Sequence, residues 1–282
     1  MKKIALINDL SGFGKCSLTA AIPVISVMGI QACPLPTAVL TAQTGFENYY
    51  CDDFTERMDR FTEQWKQMGV SFDGISSGYM EGAQQIEKVR HFLDVFQTKD
   101  NLYLLDPVMG DHGKPYAMYS EQMLSGMKEL MNRADVLIPN LTELCLLADM
   151  EYEEMVSHCN EPDYVKKVED VCRVLMQKSP KNQTIIVTGI LRKKDGKEYI
   201  ANLAVSADES YYIENPYTGK GFSGTGDLFA AVIIGSLVKG LSQTQALKKA
   251  SYFLQDAIEE ASAQNVQEVH GVYFEKYLSR LL

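Results

Sequence analysis

Tryptophan occurs once in the 282 residues, histidine only four times, and no two cysteines form a CxxC pair. The histidines (91, 112, 158 and 270) are dispersed and lack HExxH spacing, so a metal centre built from protein ligands alone is not expected. The six cysteines, at 16, 33, 51, 145, 159 and 172, are scattered and read as free thiols of a reducing compartment. Basic residues are in deficit: 27 Lys and Arg against 37 Asp and Glu, a net charge of −10. Neither half is basic, with 12 against 19 over residues 1–150 and 15 against 18 in the remainder. This argues against a nucleic-acid surface or an anionic-membrane surface, and an anionic substrate needs a local trap. Long apolar runs are missing too. The most apolar stretch, Leu228–Val238, is too short to span a bilayer. The apolar run in MKKIALINDLSG is broken by Asn8 and Asp9, which makes a poor signal peptide. A cytoplasmic chain is the expectation. With no repeat, low-complexity tract or Pro/Gly/Ser-rich linker, residues 1–282 read as one domain.

What is present is alternation. Short apolar runs near 3–8, 31–35, 73–77, 102–106, 134–138 and 184–188 read as strands. Helical patterns near 16–28, 53–68, 82–97, 119–132, 141–149 and 162–178 lie between them, with Pro23 a kink and Gly29 a stop for the first. That pattern specifies an α/β fold, a central, mostly parallel β-sheet flanked by helices on both faces. Residues 197–214 read as an appended antiparallel hairpin, followed by helices at 225–239 and 243–264, the second with Ser242 as N-cap. The polar stretch 151–167 reads as a loop and a helix start. Ligands of such sheets bind at the carboxyl ends of strands, which here carry Asn8–Gly14, Ser77–Tyr79, Asp106–Asp111, Pro139–Glu143 and Thr188–Gly189.

Four segments stand out. In GFSGTGDLFAAVIIGSL the turn Gly224–Thr225–Gly226 opens an apolar helix, whose unpaired N–H groups and dipole make an anion hole. Asp227, in the first turn, either complements the dipole or takes a proton from a hydroxyl attacking a phosphoryl group held there. In LYLLDPVMGDHG, Asp106 ends a strand and Asp111 follows in a glycine-flanked loop. They are either turn residues or carboxylates that order Mg²⁺ beside phosphates. In VLIPNLTEL, Asn140 and Glu143 have the spacing of a capping box, and Glu143 is alternatively a ligand of water or metal. LSGFGKCS is not a P-loop, because Asp9 holds the first glycine position and Cys16 follows Lys15. Lys15 is equally a surface lysine.

The ordered set SGYM, DPVMGD, PNLTEL, IVTG and GTGDLFAA resembles the pyridoxal kinase branch of the ribokinase-like superfamily, from the first strand to about residue 240. The resemblance implies a ribokinase-like fold and ATP-dependent phosphorylation of the 5′-hydroxymethyl group of B6 vitamers: pyridoxal, pyridoxine and pyridoxamine. It implies Asp227 as base, the Gly224, Thr225 and Gly226 backbone as anion hole, and Asp106 and Glu143 as Mg²⁺ and phosphate carboxylates. Asn140 and Thr188 match nucleotide-contact positions. Asp111 to Tyr119 matches a flap over ATP, with Tyr119 touching phosphate. Thr44 and Tyr79 match positions that face the pyridine ring. A homodimer and a K⁺ ion are further features of the family, the K⁺ requirement being left open. Asp9 is a departure, since many members carry serine there. An ionised Asp9 pairs with a protonated ring nitrogen or an amine, so tolerance for pyridoxamine is expected.

Three rivals stand beside this reading. A hydroxymethylpyrimidine kinase shares the fold and chemistry, though its dual-specificity relatives often carry cysteine after the GTG turn, where this chain has Asp227. A sugar or nucleoside kinase fits the Tyr79 and DPVMGD context less well. The third is a non-catalytic vitamer-binding protein. A dinucleotide-dependent dehydrogenase lacks its fingerprint after the first strand.

Overall fold

The computed structural model describes all residues, Met1–Leu282. The chain forms two compact units, Met1–Leu104 with Thr218–Leu282, and Leu105–Tyr217.

The first unit begins with β1 (Lys3–Ser11), α1 (Ser17–Val27), β2 (Gln31–Leu40) and β3 (Cys51–Asp53). It continues with α2 (Thr55–Gln67), β4 (Gly74–Ser77), α3 (Ala83–Phe96) and most of β5 (Leu102–Leu105). β1 pairs in parallel with β2 and with β4, and its Ile4, Ala5, Leu6 and Ile7 are buried as an unbroken apolar run. The β1–β2 register slips between Asn8 and Leu10, so a bulge lies opposite Asp9. α1 runs through Pro23 and stops where Gly29 adopts φ +75°.

The second unit carries β6 (Gly110–Asp111), β7 (Lys114–Pro115), α4 (Glu121–Met131) and β8 (Val136–Leu137). It goes on with α5 (Leu141–Ala148), α6 (Tyr152–Ser157) and α7 (Tyr164–Lys178), then β9 (Thr184–Lys194), β10 (Lys197–Val205) and β11 (Ser210–Pro216). β8 and β9 are parallel, whereas β9, β10 and β11 form an antiparallel meander. The expected hairpin is therefore present, with β9 extended into it as a third strand.

The chain returns to the first unit with α8 (Thr225–Val238) and α9 (Gln243–Ala263), and ends in two 3-10 segments, Glu268–His270 and Phe274–Leu281. α8 is buried on every side from Leu228 to Ser236, as a helix apolar all round must be. Ser242 caps α9 by accepting the Gln245 N–H. The nine-stranded sheet has the order β11-β10-β9-β8-β5-β4-β1-β2-β3, the mostly parallel α/β sheet that the alternation predicts. Residues 151–167 bear out the expected helix start, at α7, but carry the short helix α6, with Met155 buried beneath it, where a loop was expected. One buried methionine in a run rich in glutamate is too thin a stripe to read as a helix.

Candidate active site

In the first unit the site is built on the N-terminus of α8. Gly224 is its N-cap at φ +82°, and a Cβ there would stand 1.8 Å from the Lys15 carbonyl oxygen. Only glycine satisfies both the left-handed backbone and that approach. Thr225 Oγ1 donates to the Phe222 carbonyl at 2.9 Å and braces the turn. The N–H groups of Gly226 and Asp227 make no backbone hydrogen bond, so the helix presents them with the positive end of its dipole.

The Asp227 carboxyl accepts Asn8 Nδ2 at 3.0 Å and the N–H of Ser17. Ser17 opens α1 with φ +50°, a left-handed conformation rare outside glycine and asparagine. Burial raises the Asp227 pKa to about 6, the negative Asp9 adds to the rise, and the two donors oppose it. A carboxylate of that pKa is ionised at neutral pH yet basic enough to take a proton. Cys16, next to it, is pushed up to about 12 by burial and by the charges of Asp227 and Asp9, so it is not a thiolate.

Asp9 is buried and accepts Ser11 Oγ at 3.0 Å. Burial holds its pKa above the usual range, against hydrogen bonds from Ser17 and Ser11. Tyr79 donates its phenol to Glu81 Oε2 at 2.7 Å, and burial pushes its pKa up. Thr44 is exposed, beside a residue that sequence reasoning passed over. That residue is the buried Gln43, whose Nε2 reaches Val269 O at 2.8 Å and Ser223 Oγ at 3.4 Å. Gln43 thereby ties the Thr44 loop to the flank of the glycine turn. Asn8 is among the strand-end residues, with no role that its sequence context assigns. Its one sequence signal is its place where the first apolar run ends. Lys15 turns away from Asp227: its Nζ pairs with Glu275 at 2.7 Å and lies 4.6 Å from the Tyr273 ring centroid. A cavity of about 610 Å³ lined by Phe13, Lys15, Thr19, His270 and Phe274 contains none of these site residues.

The second unit holds the other cluster. Asn140 and Glu143 form the capping box that their spacing predicts: Asn140 Oδ1 accepts the Glu143 N–H and Glu143 Oε2 accepts the Asn140 N–H, both at 2.9 Å. Glu143 Oε1 accepts the Met109 N–H at 3.1 Å, and Asn140 Nδ2 donates to Gly110 O at 2.8 Å. Glu143 is thus buried with both oxygens engaged. Its pKa lies well above the ordinary value, first through burial and then through the charge of Asp106. Thr188 pairs with Asn140 across a parallel bridge. Asp111 is exposed and accepts the His112 N–H at 2.8 Å, a turn contact. β6 and β7 make the expected flap a small hairpin. The Tyr119 N–H donates to Tyr116 O at 3.0 Å, and no hydrogen bond links its phenol to the cluster.

No three acidic, histidine or cysteine side chains converge into a metal cage. Mg²⁺ rarely uses one, taking one or two carboxylates with water and phosphate oxygens instead. Both Glu143 oxygens are already engaged by backbone N–H groups, so the Asp106–Glu143 pair fits that donor set with Glu143 acting through bound water. Two like charges, one of them buried, repel each other, and a cation would relieve both.

The phosphomethylpyrimidine kinase family profile matches residues 14–273. Pyridoxal kinase PdxY of Pasteurella multocida is 26% identical over 211 residues, covering 73% of this chain and 69% of the relative. PdxY of Proteus mirabilis is 25% identical, covering 96% and 93%. A Bacteroides thetaiotaomicron structure, assigned provisionally as a phosphomethylpyrimidine kinase, is 35% identical and superposes with TM-score 0.91 over 99% of this chain and 93% of its own. A second crystal form of that protein contains pyridoxal. The pyridoxal kinase of Lactobacillus plantarum is 25% identical, with TM-score 0.87 over 100% and 97% of the two chains. The chain is a member of the phosphomethylpyrimidine kinase family, a ribokinase-like α/β protein whose relatives include the pyridoxal kinases.

Proposed function

We infer that the chain is a vitamin B6 kinase, transferring the γ-phosphoryl group of ATP to the 5′-hydroxymethyl group of pyridoxal and related vitamers. The observation that carries this reading is the Asp227 carboxyl. Its pKa is raised to about 6, and it stands in the first turn of a helix whose N–H groups are free. In the transfer, the substrate oxygen forms a bond to the γ-phosphorus as the bond to the β–γ bridging oxygen breaks, and ADP leaves. Asp227 takes the hydroxyl proton. The Gly224–Gly226 turn offers N–H groups to the transferring phosphoryl oxygens. Such donors are worth roughly 10²–10³ in rate where they have been removed from comparable anion holes. Thr44, Tyr79 and Asp9 orient the ring. Asn140, Thr188, Asp111 and Tyr119 serve the nucleotide, and Asp106 and Glu143 would hold Mg²⁺, which neutralises phosphate charge. The homodimer and K⁺ belong to the same reading by resemblance alone.

The matched family's own description, phosphomethylpyrimidine kinase, is the one observation behind a second reading, the hydroxymethylpyrimidine kinase of thiamin metabolism. Coupled ADP release separates the two, with Mg·ATP against pyridoxal, pyridoxine, pyridoxamine and hydroxymethylpyrimidine. Turnover of B6 vitamers, falling by about 10²–10⁴ in Asp227→Asn, is expected. Turnover of the pyrimidine alone moves the function to thiamin metabolism. Vitamer binding without turnover makes the chain a carrier.

A further inference from the structure

One side-chain amide joins three pieces of the first unit. Asn8 Oδ1 accepts the N–H of Tyr79 at 2.8 Å and the N–H of Asp9 at 3.0 Å, while Nδ2 donates to Asp227 Oδ1 at 3.0 Å. Two backbone donors on one end of the amide fix that end as oxygen, so the NH₂ end necessarily faces the carboxylate. Gly78 leaves the room. A Cβ there would stand 2.7 Å from Asn8 Nδ2, and its own N–H is held by Ile7 O at 2.9 Å. The amide therefore has one orientation, set by backbone groups that do not titrate.

We propose that Asn8 is the positioning residue for the base: it fixes the orientation and the charge state of the Asp227 carboxyl and ties that carboxyl to the Tyr79 backbone. This rests on the reading of Asp227 as the base. The other groups facing Asp227 are Asp9 from β1, which raises its pKa, and the Cys16 thiol and Ser17 N–H from the start of α1. The nearby Lys15 ammonium is paired with Glu275. Asn8 is thus the one side-chain donor to Asp227. Losing it leaves a buried carboxylate beside a second carboxyl.

The test is the pH profile of kcat/KM for pyridoxal. Asn8→Asp keeps the oxygen that Tyr79 and Asp9 need but turns an acceptor toward Asp227. The lost donor and the added like charge both raise the Asp227 pKa. The acid limb should move to higher pH by about one unit or more. The kcat at neutral pH should fall about 10- to 100-fold, as for loss of one hydrogen bond to a charged group. KM for pyridoxal should stay within about threefold, because the effect lies on the reacting groups. Asn8→Ala, which adds no charge, should move the limb less and in the same direction; it carries the test if Asn8→Asp is unfolded by circular dichroism. Folded variants with an unmoved limb, or a loss confined to KM, overturn the proposal while Asp227→Asn remains inactive. Substantial turnover in Asp227→Asn overturns the base reading, and this proposal with it.

Discussion

At Asp9 the chain carries a buried carboxyl. Its burial and the nearby charge of Glu81 favour the protonated form, while Ser11 and Ser17 favour the ionised one. A carboxyl so balanced gains most from a cationic partner, because ionising it in a buried site carries a desolvation penalty that a nearby positive charge offsets. The amine substituent of pyridoxamine supplies that charge and the aldehyde of pyridoxal does not. Asp9→Ser should therefore lower kcat/KM for pyridoxamine relative to pyridoxal by about 10-fold, the worth of one charge-assisted hydrogen bond. A ratio that stays at the wild-type value removes Asp9 from substrate choice. The glycine turn shows the opposite case, a residue fixed by space rather than charge. GTGD signals an anion hole in sequence, yet what forbids a side chain at Gly224 is the carbonyl of Lys15, 209 residues earlier.

α5 is the element whose start was legible from four letters. Asn140 to Glu143 has capping-box spacing, and the box forms. The structure adds two bonds that spacing does not foretell, Asn140 Nδ2 to Gly110 O and Met109 N–H to Glu143. Through them the cap also secures the turn that follows Asp106. Asn140→Ala should cost about 1–2 kcal/mol in urea unfolding, and Asn140→Ser, which keeps an N-cap oxygen, less. Equal losses would mean that the Gly110 bond, not the cap, carries the stability. Other elements were half legible. The run read as a strand at 31–35 continues to Leu40, across Pro34 and Pro36, which ordinarily argue against a strand interior. β3 has only three residues, Cys51–Asp53, and pairs antiparallel at the edge, so its pattern is too short to carry a period.

For the molecule as a whole, the buried acids Asp227 and Glu143 work against folding at neutral pH. The folded pKa of Asp227 is raised to about 6 from an ordinary 3.8, so the native state binds its proton more tightly than the unfolded chain. Stability from this group is complete below about pH 4 and is lost as pH rises through about 6. Glu143 is shifted in the same direction. Asp227→Asn should be more stable than wild type at pH 7, by roughly 2–3 kcal/mol at most, and the difference should vanish near pH 4. A gap that does not change with pH would trace the gain to packing instead. The net charge of −10 has a related consequence. The chain repels anions at long range, so binding an anionic substrate needs local donors, and the free N–H groups at the start of α8 are such donors.

Sequence alone determined the fold class, because a parallel sheet needs apolar strands alternating with helices and each of those patterns is local. It also determined the glycine turn and the helix start that place Asp227 in the first turn of α8, since the turn, the helix start and the acid are contiguous. Tertiary structure decided what surrounds them. Asn8 meets Asp227 across 219 residues, and the charge of Asp106 reaches the buried Glu143. A side chain's pKa and orientation depend on its burial and neighbours, and those exist only when distant strand ends are brought side by side.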